Sequence, residues 1–140
     1  MRIAIFVWEF LPNLKGSLGM HVTRICRELV KDNHDLNVFT FDTGNLPSRE
    51  LWAGVEIQRP RILDIGEVSQ FLFTDGSSEE SNEFLRVFSF NHASTSAFFR
   101  MIEKENYSFD IVAVYDGDTA ASGLIIKKAF HNIPLVFHVH

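Results

Sequence analysis

Ile3-Ala-Ile-Phe-Val-Trp8 is an unbroken apolar run, rich in β-branched and aromatic residues. A strand with one wet face alternates apolar and polar side chains; a run without alternation needs cover on both faces. That environment is a parallel sheet lying between layers of helix. The residues that follow agree with it. After a loop containing Pro12 and Gly16, Val22, Ile25, Cys26, Leu29 and Val30 recur at i, i+3, i+4, i+7 and i+8, one stripe of a helix. Asn33 stands where that helix should stop, because Asn tolerates the left-handed backbone of a helix end. Leu36-Asn-Val-Phe-Thr-Phe41 then reads as a second strand. A strand, a helix and a strand in this order close right-handed onto a parallel sheet.

The rest of the chain extends the alternation. Residues 42–54, with Gly44, Pro47 and Gly54, read as loop, and Val55–Arg59 as a short strand at a sheet edge. Residues 60–82 carry no clear period, and Asp75–Ser81 reads as an exposed polar turn. Helix is expected from Asn82 and again over Asn91–Glu105, with Phe98, Phe99 and Ile102 facing inward. Phe109–Tyr115 is a second both-faces-buried strand. Asp118–Phe130 is expected to be helical with Asp118 as its N-cap, His131–Pro134 breaks it, and Leu135–His140 is the last strand. The predicted fold is α/β, a three-layer Rossmann-like sandwich with a mostly parallel sheet. Ending on His140 inside a strand, the chain is expected to be one piece of a longer polypeptide.

Charge and composition exclude several partners. The net charge is −5, and the basic residues are scattered apart from Lys127-Lys128, so no basic face for nucleic acid is expected. No apolar stretch approaches the ~20 residues that a membrane-spanning helix needs. The opening run is too short for a secretory signal and is closed by acidic Glu9. A lone Cys26 excludes an internal disulfide and fits a reducing, cytoplasmic setting.

Parallel α/β sheets bind ligands beyond the carboxyl ends of their strands, near the point where strand order reverses. Three segments answer to that description: Glu9–Gly19, Tyr115–Thr119 and His140. In Lys15-Gly16-Ser17-Leu18-Gly19, two glycines flank the start of a helix, where free backbone N–H groups and the dipole favour phosphate or a sugar oxygen. Alternatively, Ser17 caps the helix and the glycines only form a tight turn. The dinucleotide pattern G-x-G-x-x-G is absent. Asp116-Gly117-Asp118 reads either as a D-x-D metal site or as a split pair, Asp118 capping the helix and Asp116 facing sugar hydroxyls. Two carboxylates are few ligands for a metal, which favours the split. His138 and His140 share a strand face at metal-ligand spacing, again without further ligands, so His140 alone is the candidate polar group. His21, His34, His92 and His131 read as surface or loop residues.

Taken together, Arg2–Pro12, Gly16–Gly19, His21-Val22 and Glu28-Leu29 resemble the opening of glycosyltransferases with the GT-B architecture, the glycogen/starch synthase group above all. Phe109–Asp116, Thr119-Ala120, Ile133–Phe137 and His140 resemble the later strands of that group. The resemblance covers residues 1–41 and 107–140 and thins in between. It implies one half of a GT-B architecture: an N-terminal, acceptor-side domain of a retaining transferase. The partners it implies are a nucleotide diphosphate sugar, a glycan or small acceptor, and the protein's own C-terminal domain. No cofactor or metal is implied. Lys15, Gly16, Ser17, Leu18 and Gly19 would meet the donor phosphate and sugar. Asp116 and His140 would be catalytic, and Glu9, Tyr115 and Thr119 would lie on the acceptor side. The sequence departs from the group where Ser17 replaces a glycine, where Lys15 sits one residue late, and where Ala113, Tyr115 and Gly117 replace His, His and Trp. The C-terminal domain supplies most nucleotide contacts in that group, so the 140 residues alone are not expected to turn over. The competing readings are a metal-dependent D-x-D transferase, a non-catalytic Rossmann-like binding module, and a dinucleotide oxidoreductase.

Overall fold

A computed structural model describes residues 1–62 and 79–140, with the side chains of 79–81 left aside. The elements are β1 (Arg2–Phe6), α1 (Ser17–Lys31), β2 (Asp35–Phe39), β3 (Arg49–Trp52), β4 (Val55–Gln58), α2 (Glu79–Lys104), β5 (Ile111–Tyr115), α3 (Gly117–Ala129) and β6 (Leu135–His138). They build one sheet in the order β3-β4-β2-β1-β5-β6. All neighbours run parallel except β3, which pairs antiparallel with β4.

The opening apolar run explains itself in this frame. Ile3 and Ile5 of β1 point to one face, where Val22 and Cys26 of α1 cover them with Leu36, Val38 and Ile57. Ala4 and Phe6 point to the other, against Phe98 and Met101 of α2 and Ile126 of α3. Side chains alternate along a strand, so burying both sets requires a layer on each side. The second face is a raft of rings: Phe6 stacks on Phe39 at 4.6 Å and Phe98 on Phe109 at 4.5 Å. Cys26 lies free within the first layer, and burial pushes its thiol up to about 12. Asn37 is buried within β2; it accepts from Gln58 Nε2 at 3.1 Å and donates to the Tyr107 hydroxyl at 3.2 Å, which satisfies the amide.

The α1 stripe is as expected, and Asn33, at φ 63°, occupies the left-handed position just past the helix. Four local expectations are corrected. Residues 49–52 are a strand rather than loop, so β3, not β4, forms the edge. Ala53 and Gly54 make the two-residue turn between them, both at positive φ (47° and 84°), as a tight hairpin matched to strand twist requires. Residues 79–104 form one continuous helix where two were expected, and its first turn takes in Glu79–Ser81 of the expected polar turn. Residues 75–78 of that turn, and the patternless stretch from 63 on, lie outside the described residues. Finally, Asp118 sits in the first turn of α3; the N-cap position belongs to Asp116. Trp52 closes the hairpin, with Phe10 edge-on at 6.1 Å and the Arg27 guanidinium 5.3 Å above its ring.

Candidate functional site

β1 and β5 lie side by side at the centre of the sheet. The chain leaves β1 for α1 on one face and leaves β5 for α3 on the other. A crevice must open between two such departures, and it opens at the carboxyl ends of the strands. Glu9–Gly19, Tyr115–Thr119 and His140 all lie at this rim.

On the β1 side, Glu9 organises the loop before α1. Its carboxylate accepts the Gly16 N–H at 2.7 Å through Oε1 and the Lys15 N–H at 3.2 Å through Oε2. The same side chain packs on Gly19, where a Cβ would sit 2.8 Å from Oε1 and 2.9 Å from Cγ. Leu14 Cδ2 crowds the same spot at 2.8 Å, so the second glycine of the loop is room for Glu9 and Leu14 together. Gly16, in extended conformation, is the N-cap residue of α1, and no side chain caps the helix. The alternative in which Ser17 caps is thus not what the fold adopts.

On the β5 side, Asp116 holds φ 61° and ψ 178°, a region that residues with a Cβ rarely enter. Its N–H donates to the His138 carbonyl at 2.8 Å. Thr119 secures the turn from inside: its hydroxyl donates to the Tyr115 carbonyl at 2.8 Å and accepts the Tyr115 N–H at 2.9 Å. Tyr115 is buried and its ring stacks on His138 at 4.3 Å; burial, with Cys26 nearby, pushes its phenol up to about 12. Thr119 is fully buried with its hydroxyl engaged in the turn, and Tyr115 is 3% exposed. Asp118 is exposed, and its carboxyl is raised above the usual range by partial burial and by the charges of Glu83 and Asp116.

The two sides meet at His140. Its N–H donates to Asp116 Oδ1 at 2.7 Å, and its Nε2 lies 2.9 Å from Ser17 Oγ. The His21 ring lies 6.1 Å from the His140 ring, centroid to centroid. Ser17, Asp116 and His140, far apart in sequence, therefore form one cluster. Of the D-x-D pair, Asp116 accepts the His140 N–H through Oδ1. Among the described residues no three His, Cys, Asp or Glu side chains gather as a metal site would need.

Sequence reasoning missed the floor next to this cluster. A cleft of about 430 Å³ runs from β1 to the first turns of α2, lined by Trp8, Glu9, Asn13, Lys15, Thr43 and Arg86 among others. Trp8 stacks on Phe41 at 4.5 Å and meets Phe90 edge-on at 5.4 Å, giving the cleft an aromatic wall. Arg59, 1% exposed, ties its rim together by donating to the Leu11 carbonyl and to Glu50, both at 2.7 Å. A larger cleft, about 770 Å³, lies along α2 beside Arg49, Arg61 and Arg100, away from the β1–β5 divide.

No family model matches the chain. It is 34% identical over 63 residues to an uncharacterised glycosyltransferase of Methanocaldococcus jannaschii, a match covering 45% of this chain and 16% of that protein. Two solved structures share the fold with a TM-score of 0.70. One is a sucrose-phosphate synthase from Thermosynechococcus elongatus, 14% identical. The other is the catalytic domain of starch synthase IV from Arabidopsis thaliana bound to ADP and acarbose, 16% identical. Each match covers 99% of this chain and 33% of the other, so the chain spans about a third of the proteins whose fold it shares. The architecture is that of one α/β half of such GT-B enzymes.

Proposed function

We propose that this chain is the acceptor-side half of a retaining glycosyltransferase. The reaction is transfer of a sugar from a nucleotide diphosphate sugar to an acceptor hydroxyl, in the cytoplasm. The observation that carries the reading is the convergence of Ser17, Asp116 and His140 at the crevice where β1 and β5 diverge. The shared fold and the glycosyltransferase relative support it.

The chemistry asks two things of such a half-site. Charge accumulates on the departing diphosphate, and fixed N–H donors lower the barrier by meeting it. The first turn of α1 offers them: with no side-chain cap, the amides after Gly16 stay open at the positive end of the helix. The Gly16 amide is already held by Glu9, so the phosphates would meet the Ser17–Gly19 amides, with Lys15 beside them. The reacting sugar carbon becomes electron-poor, and its ring must be held in one pose. Asp116 and His140 would take sugar hydroxyls, and the cleft walled by Trp8 would receive the acceptor. Tyr115 and Thr119 hold the Asp116 turn from within.

The remaining nucleotide contacts would come from a C-terminal domain in a longer protein. Exposed apolar side chains support that reading: Leu124 and Ile125 on α3, and Phe137 and Val139 at the β6 edge. The experiment is a transfer assay with nucleotide sugars on the longer protein, comparing wild type with His140→Ala and Asp116→Asn. Removing one such group typically costs about 10²–10³ in turnover. Unchanged turnover in both variants would refute the assignment, and no nucleotide-sugar turnover in wild type would refute the function.

A further inference from the structure

We infer that Asn91, on α2, is a positioning residue that sets the Asp116 turn by splicing its carboxamide into the first turn of α3. In a regular helix the Ser122 N–H would donate to the Asp118 carbonyl, four residues back. Here the Ser122 N–H donates to Asn91 Oδ1 at 2.9 Å, and the Asp118 carbonyl accepts from Asn91 Nδ2 at 2.7 Å. The side chain thus bonds both partners of that backbone pair. It is anchored on both sides: Nδ2 also donates to the Val87 carbonyl at 2.8 Å, and the Ser122 hydroxyl donates to Oδ1 at 2.7 Å. Asn91 is 4% exposed and Ser122 fully buried, so water does not compete for these groups.

An inserted side chain bends or opens a helix where it enters. The insertion falls on Asp118 and Ser122, and the turn it leads into holds Asp116 at φ 61°. A residue kept in so sparse a region needs surroundings that over-determine it. Thr119 does so from within the turn, and Asn91 does so from the neighbouring helix. Its reach extends to the rim, because the Asp116 carboxylate holds the His140 N–H. The importance of this for sugar transfer rests on the function proposed above; the mechanical role does not.

The test is amide hydrogen exchange on the 140-residue chain, compared between wild type, Asn91→Leu and Asn91→Asp. Leu removes both bonds at similar volume; Asp keeps the acceptor and loses the donor. Val112 and Val114 in β5 report general stability. In Asn91→Leu, the Asp116, Thr119 and Ser122 amides should exchange roughly tenfold faster than the β5 amides account for, the size of one or two lost buried bonds. In Asn91→Asp, Ser122 should keep its protection while Asp116 and Thr119 lose theirs. A uniform rise at all five amides in either variant would reduce Asn91 to ordinary packing and overturn the inference. Asn91→Asp carries the same contrast should the Leu variant fail to fold. Transfer activity of the longer protein answers the separate question, since a chain with no activity leaves the exchange pattern intact.

Discussion

Asp116 offers a direct measurement of stored backbone strain. It sits at φ 61°, ψ 178°, where a Cβ costs about 1–3 kcal/mol and glycine costs almost nothing. Replacing it by Gly or by Ala removes the same carboxylate, and with it the same bond to the His140 N–H. The difference between the two variants therefore isolates the strain. Glycine gives back about 0.4–1 kcal/mol through the greater freedom of the unfolded chain. With strain near the middle of its range, Asp116→Gly should be more stable than Asp116→Ala by roughly 1 kcal/mol. At an unstrained site the order is reversed by about 0.5–1 kcal/mol. Urea unfolding of both variants at pH 7 reads this as a shift of midpoint at constant slope. An alanine variant more stable than the glycine variant by about 0.5–1 kcal/mol, as at an unstrained site, would show that the turn holds no strain, and the bracing assigned to Thr119 and Asn91 would lose its purpose.

Two further outcomes follow from the same rim. Gly19→Ala should destabilise by up to about 2 kcal/mol: overpacking of about 1–3 kcal/mol outweighs the helix preference of alanine, about 1 kcal/mol. The added carbon would lie 2.8 Å from both Glu9 Oε1 and Leu14 Cδ2, so the loss should shrink but not vanish in a Glu9→Ala background; an equal loss in both backgrounds would leave no part of the clash to Glu9. Asp118 has a carboxyl pKa raised by burial and by Glu83 and Asp116. A raised folded-state pKa means that ionisation costs stability as pH climbs through it, so Asp118→Asn should be at least as stable as wild type at pH 7. That advantage should fade as pH falls below the ordinary carboxylate value; an advantage that grows on acidification would reverse the sign of the assignment.

The parts of the fold that were legible are those where one local pattern leaves one solution. The unalternating runs of β1 and β5 demanded a covered parallel sheet, and the α1 stripe and Asn33 marked a helix and its end. The edge hairpin was not legible, because Ala53 carries no signal for positive φ and only Gly54 hinted at a turn. Two helices were expected to meet before Asn91, yet α2 runs straight through, and Asn91, Ser94 and Thr95 are buried there, Asn91 because its partners include backbone groups of another helix. That is a tertiary fact with no sequence period. The same holds at the rim. Strand-end topology picked out Glu9, Ser17, Asp116 and His140, but not which of them touch. Asp116 became the cap and Asp118 did not, since the cap is set by where β5 delivers the chain.

The two tryptophans have fallen on opposite sides of this architecture. Trp8 forms a wall of the cleft beside Glu9, while Trp52 sits in the edge hairpin beneath Arg27. The chain therefore carries its own pair of optical probes. In a Trp52→Phe background the remaining indole emission watches the crevice alone, so a candidate sugar or nucleotide can be titrated without a label.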